Sequence, residues 1–153
     1  MLFRLAYFST NLVRRSVSPR ESELRKIILA AGQNNRSGGI TGGLMFNRNY
    51  FGQVLEGERA AVSELFLKIS RDPRHKAIVL VEAREATQRK FERWSMGFAE
   101  RSDVADALNI TYGLKDGFEP SALSTDKFCN YVLDMVSMED KLISVMVPTF
   151  DKR

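Results

Sequence analysis

Few side chains in this 153-residue sequence could do chemistry unaided, since it holds one His, His75, and one Cys, Cys129. One Cys closes no intramolecular disulfide, and one His beside it removes the multi-ligand zinc motifs and any histidine relay. What remains is a phenol and a carboxamide in β-type segments. Phe3, Leu5 and Tyr7 share one face of a strand predicted over 2–8, with Arg4, Ala6 and Phe8 on the other. In a strand predicted over 50–55, Phe51, Gln53 and Leu55 share a face, which makes Gln53 a polar residue in an apolar row. Taken singly, Tyr7 reads as a core aromatic with a satisfied hydroxyl, Gln53 as an edge residue, Asn34-Asn35 as a helix C-terminal turn, and Trp94 and Met96 as core.

The elements that would position these residues decide whether they belong together. Ser18 at an N-cap, Pro19 and Glu21 announce a helix whose stripe is Leu24, Ile27, Ile28 and Ala31, ended by Gly32. Strands over 40–46 and 50–55 flank Asn47-Arg48-Asn49 and predict a hairpin. Val62, Leu65, Phe66 and Ile69 mark a second amphipathic helix that must end near Asp72-Pro73. Ala77 to Ala83 suits a buried strand, and Trp94 to Ala99 another, with Trp94, Met96 and Phe98 alternating inward. The order β-α-β-β-α-β-β predicts an α+β, ferredoxin-like sheet with two helices on one face. Its first and third strands are central neighbours, and if the rows named above are the helix-facing ones, Tyr7 and Gln53 meet beneath the gap between the helices. A carboxamide both donates and accepts, and flipping or tautomerising it beside a redox-competent phenol and a planar ligand would make a hydrogen-bond switch.

From Ser102 the sequence predicts a polar linker up to Pro120, then a helical stretch over 124–138 and a second short helix over 141–147. This C-terminal helical extension, 101–153, is expected to pack on the sheet or on a partner. An exposed apolar face of Phe128, Val132 and Met135 predicts a homo-oligomer. No apolar run approaches the roughly 20 residues that span a bilayer, and the start lacks a leader pattern, so a cytoplasmic protein without membrane contact is expected. The charge is uneven: residues 1–38 carry seven Lys/Arg against two acids. Arg20, Arg25 and Lys26 fall outside the first helix stripe, so most of that excess reads as a solvated helix face.

Over residues 1–100 the sequence resembles the BLUF domain, a blue-light sensor that holds a flavin. The resemblance rests on Leu5-Ala6-Tyr7, Asn34-Asn35 followed by Gly39-Ile40-Thr41-Gly42, Gln53-Val54-Leu55-Glu56-Gly57, Arg71-Asp72-Pro73-Arg74-His75 and Trp94-Ser95-Met96. Beyond it, Pro120-Ser121-Ala122 and Cys129 to Asp134 look like the tail of the short, stand-alone members. The resemblance implies that Tyr7 gives an electron and a proton to the excited flavin while Gln53 rearranges between Tyr7 and the flavin edge. It implies that Asn34 and Asn35 hydrogen-bond the ring edge and that Ile27 and Ile69 sandwich it. Asp72, Arg74 and His75 would lie near the ribityl chain and phosphate, and Trp94 and Met96 would relay the change into the fifth strand. FAD is the implied cofactor, with FMN and riboflavin as alternatives. The output would pass to a separate downstream signalling protein, without enzymatic activity of the chain's own.

Two other readings fit less of the sequence. A small acylphosphatase-like phosphohydrolase on the same architecture would use Arg14 or Arg15 as phosphate clamp, but the loop after the first strand lacks a glycine-rich anion cradle. Nucleic-acid binding on the sheet face would need aromatics beside Lys or Arg, whereas Tyr50-Gly52-Val54 offers one aromatic and no charge.

Overall fold

A computed structural model of the chain describes residues 1–13, 39–94, 96–100 and 102–146, without the side chains of Phe98 and of 142–146. Alternating apolar residues form β1 (Leu2–Asn11), and β2 (Thr41–Phe46) and β3 (Tyr50–Glu58) close as the predicted hairpin. Asn47 makes the turn, its Oδ1 accepting from the backbone N–H groups of Asn49 and Tyr50, both at 2.8 Å. Then follow α1 (Arg59–Ser70), β4 (His75–Glu85), β5 (Gly97–Ala99), α2 (Ser102–Thr111) and α3 (Thr125–Met146). The described strands form one sheet in the order β4-β1-β3-β2-β5. Its first four strands are the antiparallel arrangement of a ferredoxin-like fold, and β5 adds parallel to β2. The helix predicted from Ser18, with Ile27, and the turn with Asn34 and Asn35 lie outside the described residues.

Both sheet faces are covered, which is why the central strands are apolar on both sides. On one face Leu5, Tyr7 and Leu55 pack with Ile40 and with Val62 of α1, and Leu65, Phe66 and Ile69 sit partly buried beside them. That stripe recurs every three or four residues, as a helix resting on a sheet requires. The helix stops before Pro73, with the amides of Arg71 and Asp72 turned back to the carbonyls of Lys68 and Ile69 at 3.2 and 3.0 Å. On the other face Ala6, Met45 and Val54 lie under Phe128, Val132, Met135 and Val136 of α3. Each such buried side chain contributes roughly 1.5–3 kcal/mol, so α3 is part of the core.

This changes four expectations. Residues 102–111 are helix, because Val104 and Leu108 find a buried side against α3. The tail's two predicted helices are one, Thr125–Met146, with no Pro or Gly inside to interrupt it. Phe128, Val132 and Met135 are buried within the chain, which removes the apolar face on which the predicted oligomer rested. The apolar run at 77–83 lies in an edge strand, with Val79 and Leu80 46% and 55% exposed. Two register shifts against β1, and a positive φ of 53° at Ala77, bend this edge in the way that bulges blunt exposed strands.

Candidate functional site

Tyr7 and Gln53 face each other in the β1–β3 ladder, on the α1 side of the sheet. The Tyr7 hydroxyl donates to Gln53 Oε1 at 2.5 Å, and both side chains are buried. Burial, and then the nearby Asp72 carboxylate, push the Tyr7 pKa well above the usual phenol range, so it stays a neutral donor. With its carbonyl end on the phenol, Gln53 turns its amide nitrogen to Met96, whose Sδ lies 3.4 Å away. A thioether is a weak acceptor. Among the described residues nothing else receives this buried NH2 group, so the site has a strong donor matched to a weak partner.

Around this pair the surface is apolar. Phe66 lies with its ring 5.6 Å from that of Tyr7, and Leu65, Ile69 and Ile78 are partly buried in the same cluster. His75 is locked between elements: its Nε2 donates to the Ile69 carbonyl at 2.7 Å, and Nδ1 meets the Ser9 hydroxyl at 2.7 Å. A carbonyl can only accept, which places a proton on Nε2. The imidazole also stands 6.1 Å from the Tyr7 ring and 6.1 Å, edge-on, from Phe51. At the C-terminal end of α1 the Asp72 carboxylate accepts from the Arg74 backbone N–H at 2.9 Å and from its guanidinium at 2.7 Å.

The structure thus brings together Tyr7, Gln53, Met96, Ile69, Asp72, Arg74 and His75. Trp94 is elsewhere. The expectation that Trp94 and Met96 alternate inward fails because β5 begins only at Gly97 and the chain bends before it. Trp94 turns to the α3 face, its ring 6.4 Å from Phe91, while Met96 packs on the Tyr7 side. Ile27, Asn34 and Asn35 lie outside the described residues, as do Arg14 and Arg15, the clamp of the phosphohydrolase alternative. The sheet face that an RNA reader would present is covered: Phe128 Cζ lies 3.3 Å from where a Cβ on Gly52 would sit, and Tyr50 meets Phe8 and Phe118 edge-on.

A cluster of buried charges escaped the sequence reading. Arg4 Nε donates to Glu56 at 2.7 Å, and that carboxylate also accepts the backbone N–H groups of Lys90 and Phe91 at 2.9 and 2.8 Å. Glu82 pairs with Arg84 and accepts from the Cys129 thiol at 3.3 Å. Burial and the Glu82 carboxylate push that thiol up to about 12, so Cys129 is held protonated. Arg4 lies among apolar strand residues and Glu56 at a strand end, where alternation alone suggests a solvent face.

The site is thus a buried neutral phenol donating to a carboxamide whose amide end rests on a thioether, beside the apolar cluster formed with α1. Residues 2–97 match the family model described as "BLUF: Sensors of blue-light using FAD", and the chain belongs to this family of blue-light-sensing flavoproteins. It is 35% identical over 98 residues to a photoactivated adenylate cyclase subunit beta of Euglena longa, covering 62% of this chain and 11% of that one. It is 33% identical over 107 residues, 65% of this chain and 27% of the other, to the blue light- and temperature-regulated antirepressor BluF of Escherichia coli (strain K12). The chain thus spans well under a third of either relative. Among solved structures it is similar to the photo-activated state of BlsA, with TM-score 0.76 and 32% identity, over 87% of this chain and 95% of that one. This likeness reaches past the BLUF match into the tail and leaves little of BlsA unmatched. The family's description is one of blue-light sensors.

Proposed function

We propose that this chain converts blue-light absorption into a change in the hydrogen bonding of Gln53, which Met96 and β5 carry to the helical tail and thence to a separate signalling protein. The observation that carries the reading is the continuous contact Tyr7–Gln53–Met96 at 2.5 and 3.4 Å. FAD, the cofactor in the family's description, would supply blue absorption and, once excited, an acceptor for an electron and a proton. Ile69, with Ile27, would hold its ring, Asn34 and Asn35 its edge, and Asp72 and Arg74 its ribityl and phosphate groups. Arg74 brings the charge-assisted hydrogen bonding that a phosphate needs.

The protein's own residues set the two states. In the state described, Tyr7 keeps its proton on Oη against Gln53 Oε1, and Gln53 spends an N–H on the Met96 sulfur. Rotating the carboxamide by half a turn exchanges its donor and acceptor ends, and moving a proton from Nε2 to Oε1 makes the oxygen a donor while the nitrogen keeps one N–H. Either change turns the group that faces Tyr7 from acceptor to donor. Met96 directly precedes Gly97 of β5, so a displaced thioether acts on the strand that lies against α3. The test is an absorption spectrum of the purified protein before and after blue illumination. A yellow protein with a reversible red-shift supports the reading; a colourless protein that takes up no added flavin sinks it.

A further inference from the structure

The Gln53 amide contact depends on where the chain leaving β4 places Met96, and this segment is fixed upstream of Met96. Arg89 is half-buried, and its guanidinium reaches three acceptors on other segments. Nη1 donates to Thr41 Oγ1 at 2.8 Å and to the Glu56 carbonyl at 3.0 Å, and Nη2 donates to the Gly39 carbonyl at 3.0 Å. Thr41 opens β2, Gly39 is the positive-φ turn before it, and Glu56 lies on the same strand as Gln53. Two further ties continue the clamp. The Glu56 carboxylate takes the backbone N–H groups of Lys90 and Phe91, and the Trp94 carbonyl accepts from the Gly42 N–H at 3.1 Å. From Arg89 to Trp94 the connection is therefore held against the strand that carries Gln53 and the one beside it. A planar guanidinium can serve three acceptors in fixed directions, whereas a lysine ammonium on a flexible stem cannot reproduce that fork.

We propose that Arg89 is a positioning residue for the photosensory contact: it sets the distance and direction of the Met96 thioether from the Gln53 amide. The proposal rests on the reading of Gln53 and Met96 given above. Arg89 also touches the Glu56 carbonyl on the Gln53 strand, so the Met96→Ala background separates an effect carried by Met96 from one carried along that strand. If the arginine were merely stabilising, its removal would lower the melting temperature and leave the Gln53 contact as it is.

The test uses the full flavin-loaded chain with Arg89→Ala, Arg89→Lys or Thr41→Val, each alone and combined with Met96→Ala. Two quantities are read: the Met96 methyl resonance in the dark by NMR of methyl-labelled protein, and the lifetime of the red-shifted state after a blue pulse. Arg89→Ala is expected to move the Met96 resonance and to change the lifetime at least about threefold, with Arg89→Lys behaving in the same way. In the Met96→Ala background the further effect of Arg89→Ala is expected to vanish. Lifetime changes that multiply in the double variant, or an unmoved Met96 resonance, overturn the proposal. If Arg89→Ala does not fold, Thr41→Val carries the same comparison, since it removes one acceptor and keeps the charge. A Met96→Ala protein with wild-type shift and lifetime would instead overturn the underlying reading of Met96 as relay.

Discussion

Tyr7 and Gln53 are cross-strand partners whose side chains bond at 2.5 Å in a buried site, phenol donating and carboxamide oxygen accepting. Tyr7→Phe keeps the ring and its contact with Phe66 but leaves that oxygen without its donor, at a cost of about 1–3 kcal/mol of stability. The expected product is a folded, yellow protein with no light-induced red-shift. Gln53→Leu is expected to behave likewise, because it removes both ends of the switch. Light-minus-dark absorption spectra of both variants check this, and a full red-shift in either counts against the role assigned to the pair.

Alkaline pH tests the burial of the same phenol. Tyr7, Tyr112 and Tyr131 all have pKa values pushed upward, with burial as the largest cause. Above about pH 10 the unfolded chain loses phenol protons that the folded chain keeps, so stability is full below that pH and falls as pH rises. For Tyr7, which is fully enclosed, the slope reaches about 1.4 kcal/mol per pH unit. Urea midpoints between about pH 8 and pH 11 are expected to drop steeply in the wild type and less steeply in Tyr7→Phe. Parallel curves would show that Tyr7 titrates no differently in the two states.

Met96 and Trp94 are separated by one residue and lie on opposite sides of the sheet, so their variants should fail differently. Met96→Leu removes the sulfur that accepts from Gln53 Nε2 and so destabilises the present amide orientation. Its light state is expected to live longer, by a few-fold, as suits the loss of a weak hydrogen bond worth about 0.5–1 kcal/mol. Trp94→Phe alters packing against Phe91 and Gly97 beneath α3. It is expected to leave the lifetime near wild type and to speed proteolysis of the tail. Pump-probe absorption and limited trypsin digestion separate the two outcomes.

Residue pattern alone reached a good part of this site, and the exceptions share a cause. Alternation in 2–8 and 50–55 put Tyr7 and Gln53 on one face, and strand order made them neighbours; both features are local or follow from topology. Val62, Leu65, Phe66 and Ile69 announced α1 for the same reason. What pattern could not reach depends on segments that close over the strands or bend away from them. Arg4 and Glu56 look solvent-facing until α3 and the connection at 88–91 close over them, at which point they become buried partners. Trp94 and Met96 look like one strand face until the bend before Gly97 sends them apart. Residues 102–111 carry Val104, Leu108 and Ile110 as strongly apolar residues, and only the first two share the buried side, too short a stripe to read as helix without α3 beside it.

Close approach of β5 and α3 gives the last prediction. A Cβ on Gly97 would collide with Val136 Cγ1, and one on Gly43 would lie 3.1 Å from Val136 Cγ2 and 2.6 Å from the Phe91 ring. Val136 therefore presses on two neighbouring strands where each lacks a side chain, and a shift of Gly97 has no slack to absorb it. Gly97→Ala is expected to cost about 1–3 kcal/mol through overpacking and to lift α3 locally. Val136→Ala in the same chain should recover most of that loss, since it clears the atoms in conflict. Cutting the chain after residue 101 is a poorer experiment, because it bares Met45, Val54 and Phe91 and invites aggregation. Thermal melts of the single and double variants, with amide exchange along 125–146 in dark and light, provide the check. Equal destabilisation of the single and double variants would show that strand and helix are not in register through Val136.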